Sequence, residues 1–340
     1  MKAPRQSDVA RLAGVSQSAV SRVISGDVDR IPAETRDRIL AAVKDLGYVP
    51  NAAARNLRNK RNRLLGVHTF EAVFPHARDD FYFEFLLGIE ERAEELGYDL
   101  VLFTSTGARD GRRRIYRDGT NRLNLADGAV LLGAATDREE LARLWRDGYL
   151  FVHIGRREVP GAEIPCIVPD YVSAAGRIVA SLAERGHRHL AYLRSDNEQE
   201  AYADRRAGYR AAVERLGLLD RSPGFRGEPG VTDEWLDELA AGPETAVVAE
   251  TIGQAEDLRR RLAERGLSVP ADVSVAVLEG SGDEPGHRWD CLMVPRKEIG
   301  RIAIDALVAR VENPEAEPVG RLVACDLVAG ETVADARTRE

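Results

Sequence analysis

Gln17, Ser18 and Arg22 stand close together in SQSAVSR (16–22) and carry the chemistry that reads base edges. An arginine fork matches O6 and N7 of guanine, and a glutamine amide matches N6 and N7 of adenine. Such side chains work only on one face of a short helix that can enter the major groove. Residues 7–26, SDVARLAGVSQSAVSRVISG, supply that element. Their pattern predicts two amphipathic helices joined by a tight turn at Gly14-Val15. Ala10, Leu12, Ala13, Val15, Val20 and Val23 are the expected core positions. Ser16 sits where an N-cap belongs, its hydroxyl accepting a free backbone N–H of the second helix. Gln17, Ser18, Ser21 and Arg22 then point outward, the layout of a helix-turn-helix.

A third helix is expected from Pro32, which suits a first helical turn, to Gly47, which suits the position just past a helix end. Ile39, Leu40, Val43 and Leu46 recur at helical spacing and close the small core. Next comes PNAAARNLRNKRNR (50–63), with almost no apolar face beyond Leu57. A helix that short is marginal alone in water. Asn51 can cap it, Ala52 to Ala54 favour it, and pairing with a second copy over the minor groove would hold it. Leu57 would then be the wedge inserted into a base step. Arg55, Arg58, Lys60, Arg61 and Arg63 would neutralise nearby phosphates.

Charge is segregated in the same way. Residues 1–65 hold 13 Lys+Arg against 6 Asp+Glu, a net of +7, within a 340-residue chain whose net charge is −8. The remainder therefore carries −15. A basic head on an acidic body confines phosphate contact to the head. No apolar run approaches the roughly 18 residues of a membrane span, and MKAPRQSDVA lacks the apolar stretch of a signal peptide. Cys166, Cys291 and Cys325 are far apart, match no metal spacing and lie in apolar runs, as expected of reduced thiols. These features place the chain in the cytoplasm, with no membrane partner.

From residue 64 the period changes. Strands are expected at 64–70, 99–104, 127–132, 150–154, 165–169, 188–194, 245–249, 273–278 and 321–328. Helices are expected at 81–96, 137–147, 171–185, 200–217, 252–265 and 296–311, with a helical or irregular stretch over 109–125. This alternation predicts an α/β body of parallel sheets with helices on both faces. Two such runs make two lobes with a cleft between them, and ligands bind at the carboxyl ends of such strands. The expected division is a DNA-binding domain over 1–49, a hinge over 50–63 and a body over 64–340. One lobe takes about 64–163 and 295–320, the other about 164–294 and 321–340.

With these residues in place, the chain resembles the lactose/galactose-repressor family of bacterial transcription regulators over nearly its whole length. The likeness is most specific in DVARLAGVS, AVSRVISG and IPAETRDRILAAVKDLGYVPNAAARNLR. It continues, degraded, through DFYFEFLLGIEERAEELGYDLVLF, PDYVSAAGRIVASLAERGHRHLAYL, DRRAGYRAAVERLGL and VPADVSVAVLE. The resemblance implies a periplasmic-binding-protein-like body, a homodimer on palindromic double-stranded operator DNA, and a small-molecule effector in the cleft. By that likeness Gln17, Ser18 and Arg22 read bases. Ser7, Ser16, Ser21 and Asn51 touch phosphates, Ala54 and Arg58 belong to the hinge contact, and Leu57 is the minor-groove wedge.

The cleft departs from the family. Tyr82 ends an Asp79-Asp80-Phe81-Tyr82 run where the family has Asn-Pro-Phe-Phe, and it can still stack on a ring. Asp170 keeps the family's place before a helix, and Arg205 matches its effector-binding arginine ahead of Gly208-Tyr209. Glu250-Thr251 replaces an Asn-Asp pair, Glu279-Gly280 replaces Asp-Asp, and Val294 replaces a glutamine. Two readings follow for the enlarged acids. In the first, Glu250 and Glu279 point inward, one balanced by Arg205 and the other meeting a sugar-like or amine-bearing effector. Alternatively they reach Arg205 or solvent, and the pocket is shrunken so that the body only dimerises. An unpartnered buried carboxylate is too costly to persist. Trp289, ahead of a strand near the cleft, is a further candidate effector contact.

Nothing else in the sequence asks for catalysis. His187-Arg188-His189 reads as a turn, Arg112 to Arg114 as a solvated helix face, and Trp145 and Trp235 as packing. No phosphate loop, dinucleotide fingerprint or nucleophile elbow occurs. A repressor that is not an enzyme, with neither cofactor nor metal, is the expectation; an enzyme built on the same body is the competing class.

Overall fold

The computed structural model describes residues 4–25, 28, 31–48, 62–71, 81–104, 113–133, 136–222, 231–280, 289–317 and 320–337. Asn51, Ala54, Leu57 and Arg58 of the expected hinge lie outside them. The chain divides into two compact units, Met1–Arg63 and Leu64–Glu340.

The first unit holds α1 (Gln6–Ala13), α2 (Gln17–Ser25) and α3 (Ala33–Asp45). Gly14 ends α1 in the left-handed region at φ 65°, which favours glycine and turns the chain into α2. Ser16 Oγ accepts the Ala19 N–H at 3.2 Å, the expected cap. Gly47 follows α3 at φ 58°, and the Tyr48 N–H returns to the Val43 carbonyl. Val9, Ala10, Ala13, Val20, Val23, Ile39 and Ala42 form the core. Leu12 and Leu40, expected there, are 54% and 49% exposed. The buried stripe of α1 runs through Val9, Ala10 and Ala13, and that of α3 through Ile39 and Ala42, which turns Leu12 and Leu40 outward.

The second unit contains two six-stranded sheets. The first comprises β1 (Leu64–Thr69), β2 (Asp99–Phe103), β5 (Gly128–Leu132), β6 (Phe151–Ile154), β7 (Cys166–Pro169) and β13 (Arg321–Val323). Its order is β13-β7-β6-β5-β1-β2, with every pairing parallel. The second comprises β8 (His189–Leu193), β9 (Leu219–Asp220), β10 (Ala246–Ala249), β11 (Ser274–Val277), β12 (Asp290–Met293) and β14 (Asp326–Val328). Its order is β14-β12-β11-β10-β8-β9, with β14 antiparallel to β12. Helices α4 (Phe83–Glu95), α5 (Arg138–Arg146), α6 (Tyr171–Glu184), α7 (Glu200–Leu216), α8 (Asp233–Ala241), α9 (Ile252–Ala263) and α10 (Arg296–Glu312) complete the unit. A Cβ on Gly300 would lie 2.3 Å from the Phe85 carbonyl oxygen, so only glycine lets α10 pack this closely on α4.

Three expectations change. The expected strand over 321–328 is two strands in different sheets, parted at Ala324-Cys325. The lobe boundaries move with it: β7 and β13 both belong to the first sheet, so the chain changes lobe at Asp170 and after Val323 rather than near 164 and 321. The stretch over 109–125 contains an antiparallel pair, β3 (Tyr116–Arg117) and β4 (Thr120–Asn121), then a 3₁₀ turn at Arg122–Leu125. Asp118-Gly119 turns that hairpin with φ positive at both residues. Asp-Gly is the dipeptide such a two-residue turn selects. Helix α8 had no sequence expectation; Thr232 caps it by accepting the Trp235 N–H. Among the described residues no helix is long and apolar enough to cross a membrane.

Candidate nucleic-acid interface and effector cleft

In the head, the polar positions of α2 stand clear of the core. Ser7, Ser16, Gln17, Ser18 and Arg22 are exposed and Ser21 is half-buried, while Val20 and Val23 fill the opposite face. Ser16 and Ser18 hydroxyls lie 2.9 Å apart, and the Gln17 amide reaches the Gln6 side chain of α1 at 3.4 Å. The amide and guanidinium expected to read bases thus share a solvent-facing surface, as insertion into a groove requires.

In the body, a cavity of about 100 Å³ lies where the carboxyl ends of β5, β6 and β7 meet the start of α7. Phe81, Tyr82, Phe85 and Tyr171 give it an aromatic wall; Arg157 and Gln199 supply polar atoms. Of the expected effector residues, Tyr82 is in that wall, and its hydroxyl donates to the Glu71 carboxylate. Arg205 stands behind the wall. Its guanidinium lies 4.5 Å from the centre of the Tyr171 ring and 4.9 Å from that of Tyr202, and it is 3% exposed. Gly208 permits this placement. A Cβ there would lie 2.2 Å from the Val172 carbonyl oxygen, so α7 could not otherwise approach α6 so closely. Burial pushes the Tyr171 hydroxyl above its ordinary range, against a smaller opposing pull from Arg205.

The two enlarged acids have separate fates. Glu250 is wholly buried and its carboxylate is taken up internally. One oxygen accepts the Tyr192 hydroxyl at 2.9 Å; the other accepts both the Ser195 N–H and the Ser195 hydroxyl at 2.6 Å. The Arg206 guanidinium lies 3.7 Å away. Burial, with Glu250 second, drives the Tyr192 hydroxyl far upward, so it stays a proton donor. In this arrangement the Glu250 carboxylate is engaged by Tyr192 and Ser195 within the second lobe. Glu279 is half-buried and acts electrostatically on both Arg205 and Arg296. Arg296 in turn lies 4.4 Å from the centre of the Phe81 ring.

Two further expectations are relocated. Asp170 caps α6 by accepting the Ser173 N–H at 3.0 Å, at the point where the chain changes lobe. Trp289 is 5% exposed in an apolar cluster with Val231, Trp235 and Leu258, where its ring packs in the core of the second lobe. It precedes the amino end of β12, whereas a ligand sits at carboxyl ends. His187 is held by Thr245 and the Ala334 carbonyl, a structural role as expected.

Sequence reasoning missed Arg157, Gln199 and Arg296. The first had a signal: Arg156-Arg157 comes one residue after the apolar strand FVHI, and residues just past such a strand border the cleft. Cys291 and Cys325 are buried and Cys166 half-buried, all as free thiols. Among the described residues no group of His, Cys, Asp and Glu could hold a metal ion.

A capped helix-turn-helix head followed by a two-sheet, cleft-bearing body defines a DNA-binding regulator governed by a small molecule. Residues 7–51 match the pattern of bacterial regulatory proteins of the lacI family. Residues 67–228 match the periplasmic binding proteins and sugar binding domain of that family, and 179–333 a periplasmic binding protein-like domain. The chain is 30% identical over 326 residues to the HTH-type transcriptional regulator CelR of Thermobifida fusca, covering 93% of this chain and 94% of that one. It belongs to the lacI family of transcriptional regulators. Among solved structures, the lac repressor dimer bound to operator and an anti-inducer superposes with a TM-score of 0.71 at 23% identity, covering 98% of this chain and 100% of that one. A CelR–cellobiose complex does so with a TM-score of 0.57 at 26% identity, covering 97% and 99%.

Proposed function

We propose that the protein is a cytoplasmic repressor that binds a palindromic operator as a homodimer and responds to a sugar-like molecule in the cleft. The observation that carries the operator half is the exposed set Gln17, Ser18 and Arg22 on a helix capped by Ser16. In this reading those three side chains specify bases. Ser7, Ser16 and Ser21, with Asn51, Ala54 and Arg58 of the hinge segment, position the backbone, and Leu57 wedges the minor groove. The likeness to CelR, solved with cellobiose, supports a sugar-like effector. The aromatic wall and the Arg157 and Gln199 polar groups suit a ring bearing hydroxyls. The function is binding; no reaction is assigned to it.

A homodimer has a surface ready for it. A groove of about 950 Å³ runs along α4 and the edge strand β2, lined by Phe83, Leu87, Tyr98, Leu100 and Leu102. An open apolar edge of this kind is a liability unless a partner covers it. A two-fold dimer would cover it with its own copy, residue for residue.

Selection of bound duplexes from a random pool at moderate salt tests the operator reading. An enriched palindrome is expected, and Arg22→Ala should lose about 1–3 kcal/mol at one base pair with discrimination lost there. A pool with no enriched sequence, or a variant that weakens all sequences alike, overturns the assignment.

A further inference from the structure

We infer that the effector cleft is latched shut by the protein's own side chains, so that an effector of sugar size binds only after the latch parts. This rests on the cleft proposed above as the effector site. The latch is a set of ion pairs joining the first two turns of α7, in the second lobe, to the first lobe. Arg156, just past β6, meets Asp204 with both ends of its fork, at 3.2 Å and 2.6 Å. Glu200 accepts Arg138 at 2.9 Å and the Glu158 backbone N–H at 3.1 Å, and lies 3.5 Å from Arg157. Glu200 and Arg157 are almost wholly buried, so salt screens that pair weakly; Asp204 is mostly buried, while Arg156 and Arg138 are partly exposed. A forked arginine–carboxylate pair is also directional, tolerating little sliding of one lobe on the other.

The latch and the cavity share residues. Gln199 and Ala201 wall the cavity, while Glu200 between them and Asp204 one turn on carry the ion pairs. Arg157 does both. The space of about 100 Å³ falls below the roughly 300 Å³ at which ordinary ligand sites begin. That space, open on one side, is too small to hold a sugar ring with α7 in place. The latched form acts as a tax on affinity: the apparent dissociation constant equals the intrinsic one divided by the fraction of unlatched molecules.

Amide hydrogen exchange on the full-length, ligand-free protein tests this without knowledge of the effector or operator. Asp204→Arg should speed exchange tenfold or more in peptides covering 155–160 and 198–206, the Glu158 amide included. Exchange in the β8 and β10 strands should stay unchanged. The swap that pairs Asp204→Arg with Arg156→Asp should restore protection, which a general loosening of α7 would not allow. Where the reversed charge prevents folding, Asp204→Asn gives the same local signature at smaller amplitude. Unchanged exchange in the folded single variants, or a swap that fails to restore it, overturns the latch. Either result leaves the operator assignment standing, because that assignment is read from duplex selection.

Discussion

Replacing Glu250 separates two descriptions of the cleft by the sign of its effect. If Glu250 faced an effector site, its charge would be held there at a cost to stability, and neutralising it would leave the fold unchanged or firmer. The structure instead makes it an internal acceptor of three hydrogen bonds, 3.7 Å from Arg206. In Glu250→Gln the amide oxygen keeps the Ser195 pair, because the reverse orientation would orphan a buried backbone N–H. The new NH₂ then faces Tyr192, whose hydroxyl can rotate to accept. What is lost is the charge assistance on three bonds and the Arg206 attraction, about 2–3 kcal/mol together. Glu250→Ala also leaves the Ser195 amide and hydroxyl and the Tyr192 hydroxyl without their acceptor, and should cost about 3–5 kcal/mol. At about 2–4 °C per kcal/mol for a domain of this size, calorimetry should show the body melting about 4–12 °C lower for Gln and further still for Ala. A glutamine variant with an unchanged or raised melting temperature refutes the internal role and returns Glu250 to the cleft.

Acid should weaken the first lobe. Burial above all holds the His68 imidazole down to about 4 and that of His153 down to about 3, with Arg122 and Arg113 assisting at His68 and Arg157 at His153. The unfolded chain takes up protons near pH 6.5 and the folded one does not. Stability is therefore full above that value and falls as pH drops towards 4, by about 2 kcal/mol per histidine between pH 7 and 5. Denaturant titrations should show the slope, and His153→Gln should flatten it; a pH-independent midpoint contradicts the buried neutral imidazoles. At the groove on α4 and β2, Leu102 is 46% exposed. Leu102→Glu should give a folded monomer by sedimentation with operator affinity reduced at least tenfold, and a persistent dimer would place the interface elsewhere.

The fold was largely legible because period dominated. The apolar runs LLGV, GAVLL and FVHI are bounded by turn residues and alternate with helical stretches, which leaves parallel sheets as the way to bury both faces. The head was legible for a different reason: Gly14, Ser16 and Gly47 each do a backbone task that few other residues can. What escaped was whatever depends on long-range partners. The split of 321–328 into two strands follows from which sheet each half meets, which a local run of apolar residues does not encode. The Asp118-Gly119 hairpin was encoded, but the charged residues around it masked the alternation. In the site, residue type did not reveal the internal partners of Glu250 and Trp289. A carboxylate and an indole near strand ends suggested ligand contacts, whereas Tyr192, Ser195 and Arg206 in one case and the second-lobe core in the other had already claimed them.

The arginines show the same contest between structure and ligand. Arg205, which resemblance marks as an effector contact, lies against two tyrosine rings and donates to the Glu250 carbonyl. Arg156 and Arg157, which resemblance did not mark, tie down the helix that carries Arg205. A helix moves nearly as a rigid body, so Gln199 and Ala201 cannot withdraw from the cavity without straining Glu200 and Asp204, nor without dragging Arg205 off Tyr171. Opening for a ligand is thus one concerted displacement of α7, whose cost is set by ion pairs of which only Arg157 also lines the cavity. A ligand changes the population of the two forms only by as much as it prefers one of them. Affinity for the effector can therefore be tuned at Arg138, Arg156 and Asp204 without altering a residue of the cavity wall, a route by which related bodies could diverge in sensitivity while keeping one pocket.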